Sequence, residues 1–120
     1  MNYFLDTYAL IEIAEGTPKY QKYLESDAVT LKDNLAELYY FLLKKYDDKT
    51  AEFFLNKFSQ IAVELPISII AKSMLFKQTY SKTKFSYIDC LGYTFALENK
   101  RSFLTGDRAF EGMENVELVR

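Results

Sequence analysis

The chain has 120 residues, of which 49% are hydrophobic and 27% charged, a balance that suits one folded domain and excludes both a disordered chain and two independent cores. Fifteen basic and 17 acidic residues leave a net charge of −2, so no overall positive field draws nucleic acid. The complete lack of histidine and the single Cys90 exclude Ser-His and Cys-His nucleophile pairs, nearly every zinc hydrolase centre and an internal disulfide.

The longest charge-free stretch, the eight residues from Cys90 to Leu97, is well short of the ~18 apolar residues of a membrane span. The chain opens Met-Asn-Tyr-Phe-Leu-Asp, with an acid at position 6 and no basic region before an apolar run, so a cytoplasmic location is expected. Asn2 to Leu5 reads as a strand closed by Asp6, and Tyr8 to Ala14 takes up helical apolar spacing. Gly16-Thr17-Pro18 supplies a break, an N-cap and a first-turn proline for a short helix over Lys19 to Ser26. Ala28 to Leu31 is the next strand. Leu35, Leu38, Tyr39, Leu42 and Tyr46 then recur at helical spacing from Asp33 to Tyr46, and Asp47-Asp48 restarts a helix through Ile61, making a helical hairpin.

A third strand over Val63 to Leu65 stops at Pro66, and a helix follows over Ile69 to Tyr80. The basic stretch Ser81-Lys82-Thr83-Lys84 leads to a helix from Ser86 to about Asn99. Ser102 to Thr105 is a fourth strand, Gly106-Asp107 a turn, and Asn115 to Val119 a fifth strand. Strands alternating with helices predict an α/β fold of three layers, with a central, mostly parallel sheet of about five strands and helices on both faces, in one domain over residues 1–120.

Four acids stand where a purely structural sequence would place something apolar or a counter-charge: Asp6, Glu37, Asp89 and Asp107. Each also has a local explanation. Asp6 can cap the helix that follows, Glu37 can close a capping box with Asn34, Asp89 one with Ser86, and Asp107 is a common turn residue. Their joint placement has no such explanation. In a parallel sheet the carboxyl ends of the strands line the binding crevice, and the topology brings Asp6 and Asp107 to the edge where the helices bearing Glu37 and Asp89 begin. Crowded carboxylates repel and desolvate one another unless a cation compensates. Oxygen donors without imidazole or thiolate select a hard ion, Mg²⁺ or Mn²⁺, and such an ion can activate water against a phosphodiester.

In their order and spacing, the segments Phe4-Leu5-Asp6-Thr7, Leu35-Ala36-Glu37-Leu38-Tyr39, Ser86-Tyr87-Ile88-Asp89-Cys90-Leu91-Gly92-Tyr93 and Phe103-Leu104-Thr105-Gly106-Asp107-Arg108-Ala109-Phe110 carry a resemblance over essentially the whole chain. The pattern resembles a PIN-domain ribonuclease of the compact VapC toxin type. That resemblance implies a metal-dependent endoribonuclease, with Asp6, Glu37, Asp89 and Asp107 around Mg²⁺ or Mn²⁺, and with Thr7 and Thr105 supporting the acids. It also implies a homodimer and silencing by a small cognate antitoxin whose tail lies across the active site. The chain departs from the commonest pattern at Tyr8, where a small polar residue often stands, and at Arg108, where another acid sometimes does.

RNA needs cations near the acids, and Pro66 to Ile88 carries Lys72, Lys77, Lys82 and Lys84 with no acid among them. Lys77, Lys82, Lys84 and Arg108 are the candidate phosphate contacts. Ten Phe and ten Tyr, several of them crowded on the hairpin at Tyr39, Tyr40, Phe41, Phe53, Phe54 and Phe58, exceed what one small core covers and predict a further interface. Three alternatives stand beside the toxin nuclease. The chain can be a PIN nuclease in RNA processing or quality control, or a non-catalytic PIN-like module that binds RNA or protein. A phosphatase or receiver domain on a similar sheet fits less well, because position 8 is Tyr where the haloacid-dehalogenase type needs a second Asp, and no acid pair precedes a mid-chain strand-terminal Asp as a receiver needs.

Overall fold

The computed structural model describes residues 2–120. Five strands, β1 (Asn2–Leu5), β2 (Asp27–Leu31), β3 (Ala62–Val63), β4 (Ser102–Thr105) and β5 (Val116–Leu118), form one sheet in the order β3-β2-β1-β4-β5. Every pairing in it is parallel, with Phe4 opposite Val29 on one side and Phe103 on the other. The connections as far as β4 are α-helical, through α1 (Thr7–Ala14), α2 (Pro18–Gln21), α3 (Lys32–Lys45), α4 (Asp48–Ser59), α5 (Ile67–Thr79) and α6 (Tyr87–Glu98), whereas β4 reaches its parallel neighbour β5 through a 3-10 turn over Arg108–Phe110. The expected α/β architecture is therefore present.

The strand order makes β1 the hinge of the topology. From β1 the chain proceeds outward through β2 and β3, then crosses back to β4 and β5, so the order reverses between β1 and β4. A crevice opens at such a reversal, outside the carboxyl ends of the two strands. Asp6 follows β1 directly, and Gly106-Asp107 follows β4.

Side chains of the strands alternate between two cores, as a two-residue period dictates. Tyr3, Leu5 and Leu104 face a core closed by Leu10 and Ile13 of α1, Leu35, Leu38 and Leu42 of α3, and Ala51 and Phe58 of α4. Phe4 and Phe103 face the opposite core, with Ile69 of α5, Cys90, Tyr93 and Ala96 of α6, and Phe85 and Phe110. The second core is largely aromatic: Phe4 stacks on Phe103 at 5.7 Å between centroids, and Phe85 on Phe110 at 4.5 Å. Gly92 lets α6 lie against that stack, since a Cβ there would stand 2.9 Å from the buried Phe4 ring. Cys90, buried in this core, is the small apolar residue its position suggests.

Several boundaries differ from the sequence reading for physical reasons. The helix after Pro18 lasts four residues and tightens into a 3-10 turn over Lys22–Glu25 before β2. The third strand is Ala62–Val63, because its partner β2 ends at Leu31 and offers no ladder further on; Leu65 packs against the aromatic core instead. Helix α3 starts at Lys32 with Leu31 as N-cap and no side-chain cap, which places Asn34 inside the first turn. The Asn34–Glu37 capping box does not form. The Ser86–Asp89 box does, with Ser86 Oγ accepting from the Asp89 amide at 3.0 Å and Asp89 Oδ2 from the Ser86 amide at 2.9 Å. On the hairpin Phe58 is buried while Tyr40 and Phe53 stay exposed. Among the described residues no helix is long and apolar enough to cross a membrane.

Candidate active site

Asp6 is the centre from which the site builds. It is the N-cap of α1 by position, yet its carboxylate caps nothing and is only 3% exposed. One oxygen, Oδ2, accepts from the Thr105 hydroxyl at 2.8 Å, and that hydroxyl in turn accepts from the Asp107 amide at 3.1 Å. The other oxygen, Oδ1, is buried without a hydrogen-bond partner. A buried carboxylate oxygen left unpaired is costly and calls for a counter-charge. The capping explanation of Asp6 therefore fails.

Glu37 faces the same space from the second turn of α3. Its Oε1 accepts from the Thr7 hydroxyl at 2.5 Å, and Thr7 Oγ1 accepts from Asn34 Nδ2 at 3.0 Å. Asp89 stands in the first turn of α6, half-buried, one oxygen taken by the capping box. Asp107 is half-exposed on the turn after β4, where its Oδ1 accepts from the Ala109 amide at 2.9 Å. Thr7 and Thr105 thus each donate directly to one of these carboxylates, Thr7 to Glu37 and Thr105 to Asp6. Asn34 at the back of the first of these is a residue that spacing alone misses, although a buried amide on a helix face is the signal that points to it.

The acids feel one another. Burial first, then the charge of Asp89 and more weakly that of Glu37, raises the Asp6 carboxyl to about 7 against the opposing bond from Thr105 and the nearby Thr7 backbone amide. Burial also raises Glu37, with Asp89 adding to it and the Thr7 bond opposing. Asp89 is raised by burial and by Asp107, and lowered by its bonds to Ser86 and by the Lys77 ammonium. Asp89 is therefore the hub through which all four acids couple. As the side chains lie, no three metal-ligating residues among those described stand close enough to enclose an ion. The donor set nevertheless fits a hard divalent cation: oxygen atoms only, mutually repelling, and led by an unpaired buried Asp6 oxygen.

The candidate cations divide. Lys82, Lys84 and Arg108 are exposed. Lys77 is spoken for in part: its Nζ donates to the Phe85 carbonyl at 2.6 Å and sits 4.7 Å from the centre of the exposed Tyr87 ring. Lys72 pairs with Glu98 at 2.6 Å. The Tyr8 ring packs against Gly106, where a Cβ would come within 2.2 Å of it, and Arg120 donates to the Gly106 carbonyl at 2.7 Å. Together they brace the turn that carries Asp107. Beside Glu37 a groove of about 590 Å³ opens between α1 and α3, walled by Ile11, Tyr40 and Phe41 and ending at Lys44.

The sequence matches the family model of the PIN domain over residues 3–115. No curated protein matches it. Among solved structures it is similar to a chain of VapBC2 from Rickettsia felis, a complex bound to a DNA fragment from its promoter, at 16% identity and a TM-score of 0.81 with both chains covered in full. It is similar to the sarcin-ricin-loop cleaving toxin VapC20 of Mycobacterium tuberculosis at 10% identity and a TM-score of 0.79, covering 94% of this chain and 95% of that one. A toxin-antitoxin complex from Klebsiella pneumoniae gives 18% identity and a TM-score of 0.76, with 97% and 96% covered. At these identities the structural likeness is one of fold.

Proposed function

Because the chain belongs to the PIN domain family, we propose that it is a divalent-metal-dependent endoribonuclease and the toxin of a toxin-antitoxin pair. One observation carries the nuclease reading: a buried Asp6 with an unpaired oxygen, coupled to Glu37, Asp89 and Asp107 at the point where the strand order reverses. Asp6, Glu37, Asp89 and Asp107 would hold Mg²⁺ or Mn²⁺. When bound, the ion supplies Lewis acidity for the attack of water on a phosphodiester. The protein's part is placement and charge. Thr105 holds one Asp6 oxygen and leaves the other to the cation; Thr7 holds Glu37; the capping box fixes Asp89 by one oxygen; and the braced Gly106 turn presents Asp107.

RNA is the proposed substrate, with Lys82, Lys84, Arg108 and the part-engaged Lys77 as phosphate contacts around the acids. The solved toxins of the same fold support the toxin role. A cognate antitoxin has a place to lie in the α1–α3 groove, whose aromatic wall suits an apolar helix face and whose Glu37 end suits a basic side chain reaching the acids. A homodimer is supported by the apolar side of α5, where Ile67, Ile70 and Leu75 are exposed.

The test is cleavage of a mixed structured RNA by purified protein with Mn²⁺ or Mg²⁺ and with EDTA, for wild type and Asp89→Asn. Cleavage that needs the metal and is lost in the variant is the expected result. A wild type that cuts equally well in EDTA, or a variant that cuts as wild type does, would refute it.

A further inference from the structure

Taking the metal-dependent nuclease as its premise, we infer that Asn34 is a positioning residue that acts on Glu37 through the hydroxyl of Thr7. A hydroxyl has one proton to give and accepts through its lone pairs. Thr7 Oγ1 accepts from Asn34 Nδ2 at 3.0 Å and lies 2.5 Å from Glu37 Oε1. With the amide nitrogen toward it, Thr7 finds no acceptor in Asn34, and its proton has Glu37 as its partner. The direction of the chain is fixed: Asn34 gives to Thr7, and Thr7 gives to Glu37. Glu37 Oε1 is held, while Oε2 has no donor among the described residues and remains for a cation.

Asn34 is fully buried, and its own Oδ1 has no hydrogen-bond partner. Leucine would fill nearly the same volume without that penalty, so what asparagine contributes here is the N–H on Thr7. The same device stands on the other side of the site. There the Asp107 amide gives to Thr105 Oγ1 at 3.1 Å, and Thr105 gives to Asp6 Oδ2 at 2.8 Å. In both places an N–H behind a threonine turns the hydroxyl proton toward a carboxylate. At Thr105 the backbone supplies it, and at Thr7 a side chain does.

The experiment is Mn²⁺ binding by calorimetry, alongside urea unfolding, for wild type, Glu37→Gln, Thr7→Val, Asn34→Leu and the Thr7→Val/Asn34→Leu double variant. Asn34→Leu is expected to stay folded, with a urea midpoint no lower than wild type, and to weaken Mn²⁺ roughly tenfold or more, as loss of an outer hydrogen bond to a metal ligand does. Asn34→Ala, which only removes atoms, is read in the same way where leucine does not fit. The double variant is expected to bind as Thr7→Val alone, because Asn34 has nothing to act through once the hydroxyl is gone. A merely structural asparagine would instead add its full loss in the Thr7→Val background. That additivity, or Mn²⁺ binding left intact in Asn34→Leu while Glu37→Gln weakens it, overturns the role of Asn34 and leaves the nuclease standing. A wild type that takes up no Mn²⁺ overturns the metal-dependent reading itself, and this role with it.

Discussion

Replacing Asp6 with asparagine should make the metal-free protein more stable in mildly alkaline solution, by a margin that shrinks as the pH falls and vanishes only at about pH 4. A free aspartate ionises near 3.8, and here burial and Asp89 raise it to about 7. Below the lower value both folded and unfolded chains hold the proton, and folding loses nothing. Between the two values the unfolded chain releases a proton that the folded chain keeps, so stability falls as pH rises, by ~1.4 kcal/mol per pH unit and up to ~4 kcal/mol in all. Above about pH 7 the loss is complete and constant. Asparagine carries no such cost, keeps the shape, and can still accept from Thr105. Urea unfolding in EDTA should therefore show the gap between variant and wild type widening by ~3 kcal/mol from about pH 5 to about pH 8. Saturating Mn²⁺ should close that gap by stabilising the wild type alone. A gap that does not change with pH, or a variant less stable at the higher pH, would refute the claim that Asp6 is a strained, uncompensated charge.

Gly92→Ala puts a methyl group 2.9 Å from the Phe4 ring, which the aromatic stack holds in place, and should cost ~1–3 kcal/mol in urea unfolding. Ser86→Ala removes the cap of α6 and should cost ~1 kcal/mol; because the same box holds Asp89, cleavage should fall more than stability accounts for when the two are measured under one condition. Lys82→Ala should weaken RNA binding and reduce its slope against salt by roughly 0.7 to 0.9, whereas Lys72→Ala should leave the slope unchanged, since that ammonium is engaged by Glu98 at 2.6 Å. Fluorescence anisotropy on a labelled RNA at several salt concentrations separates the two.

What the sequence reveals depends on how local the cause is. Strands β1 and β4 are legible to the residue because alternating apolar side chains face two cores, and the Ser86–Asp89 box is legible because both partners lie on one turn. The two-residue strand β3 is not, since its length is set by where β2 runs out, a fact about a partner some thirty positions away. The four acids could be brought together from topology alone, because a parallel sheet places strand ends and helix starts on one edge. The bonds that hold them could not: Thr7 reaches Glu37 across 30 positions and Asn34 reaches Thr7 across 27. Asn34 looked like half of a local capping box with Glu37, and the structure gives it a different partner because α3 begins earlier, at Lys32.

The bond between Thr105 and Asp6 spans 99 positions of sequence. It joins two strands that lie side by side but are made far apart in synthesis, and parallel pairing over such a distance is slow to form. A chain emerging from the ribosome, amino end first, thus carries its first acid long before it has the strand that holds that acid in place. The crevice can come together only once β4 has been made and has docked against β1. A nuclease built this way would be inert until β4 has docked, and would become able to cut RNA only then.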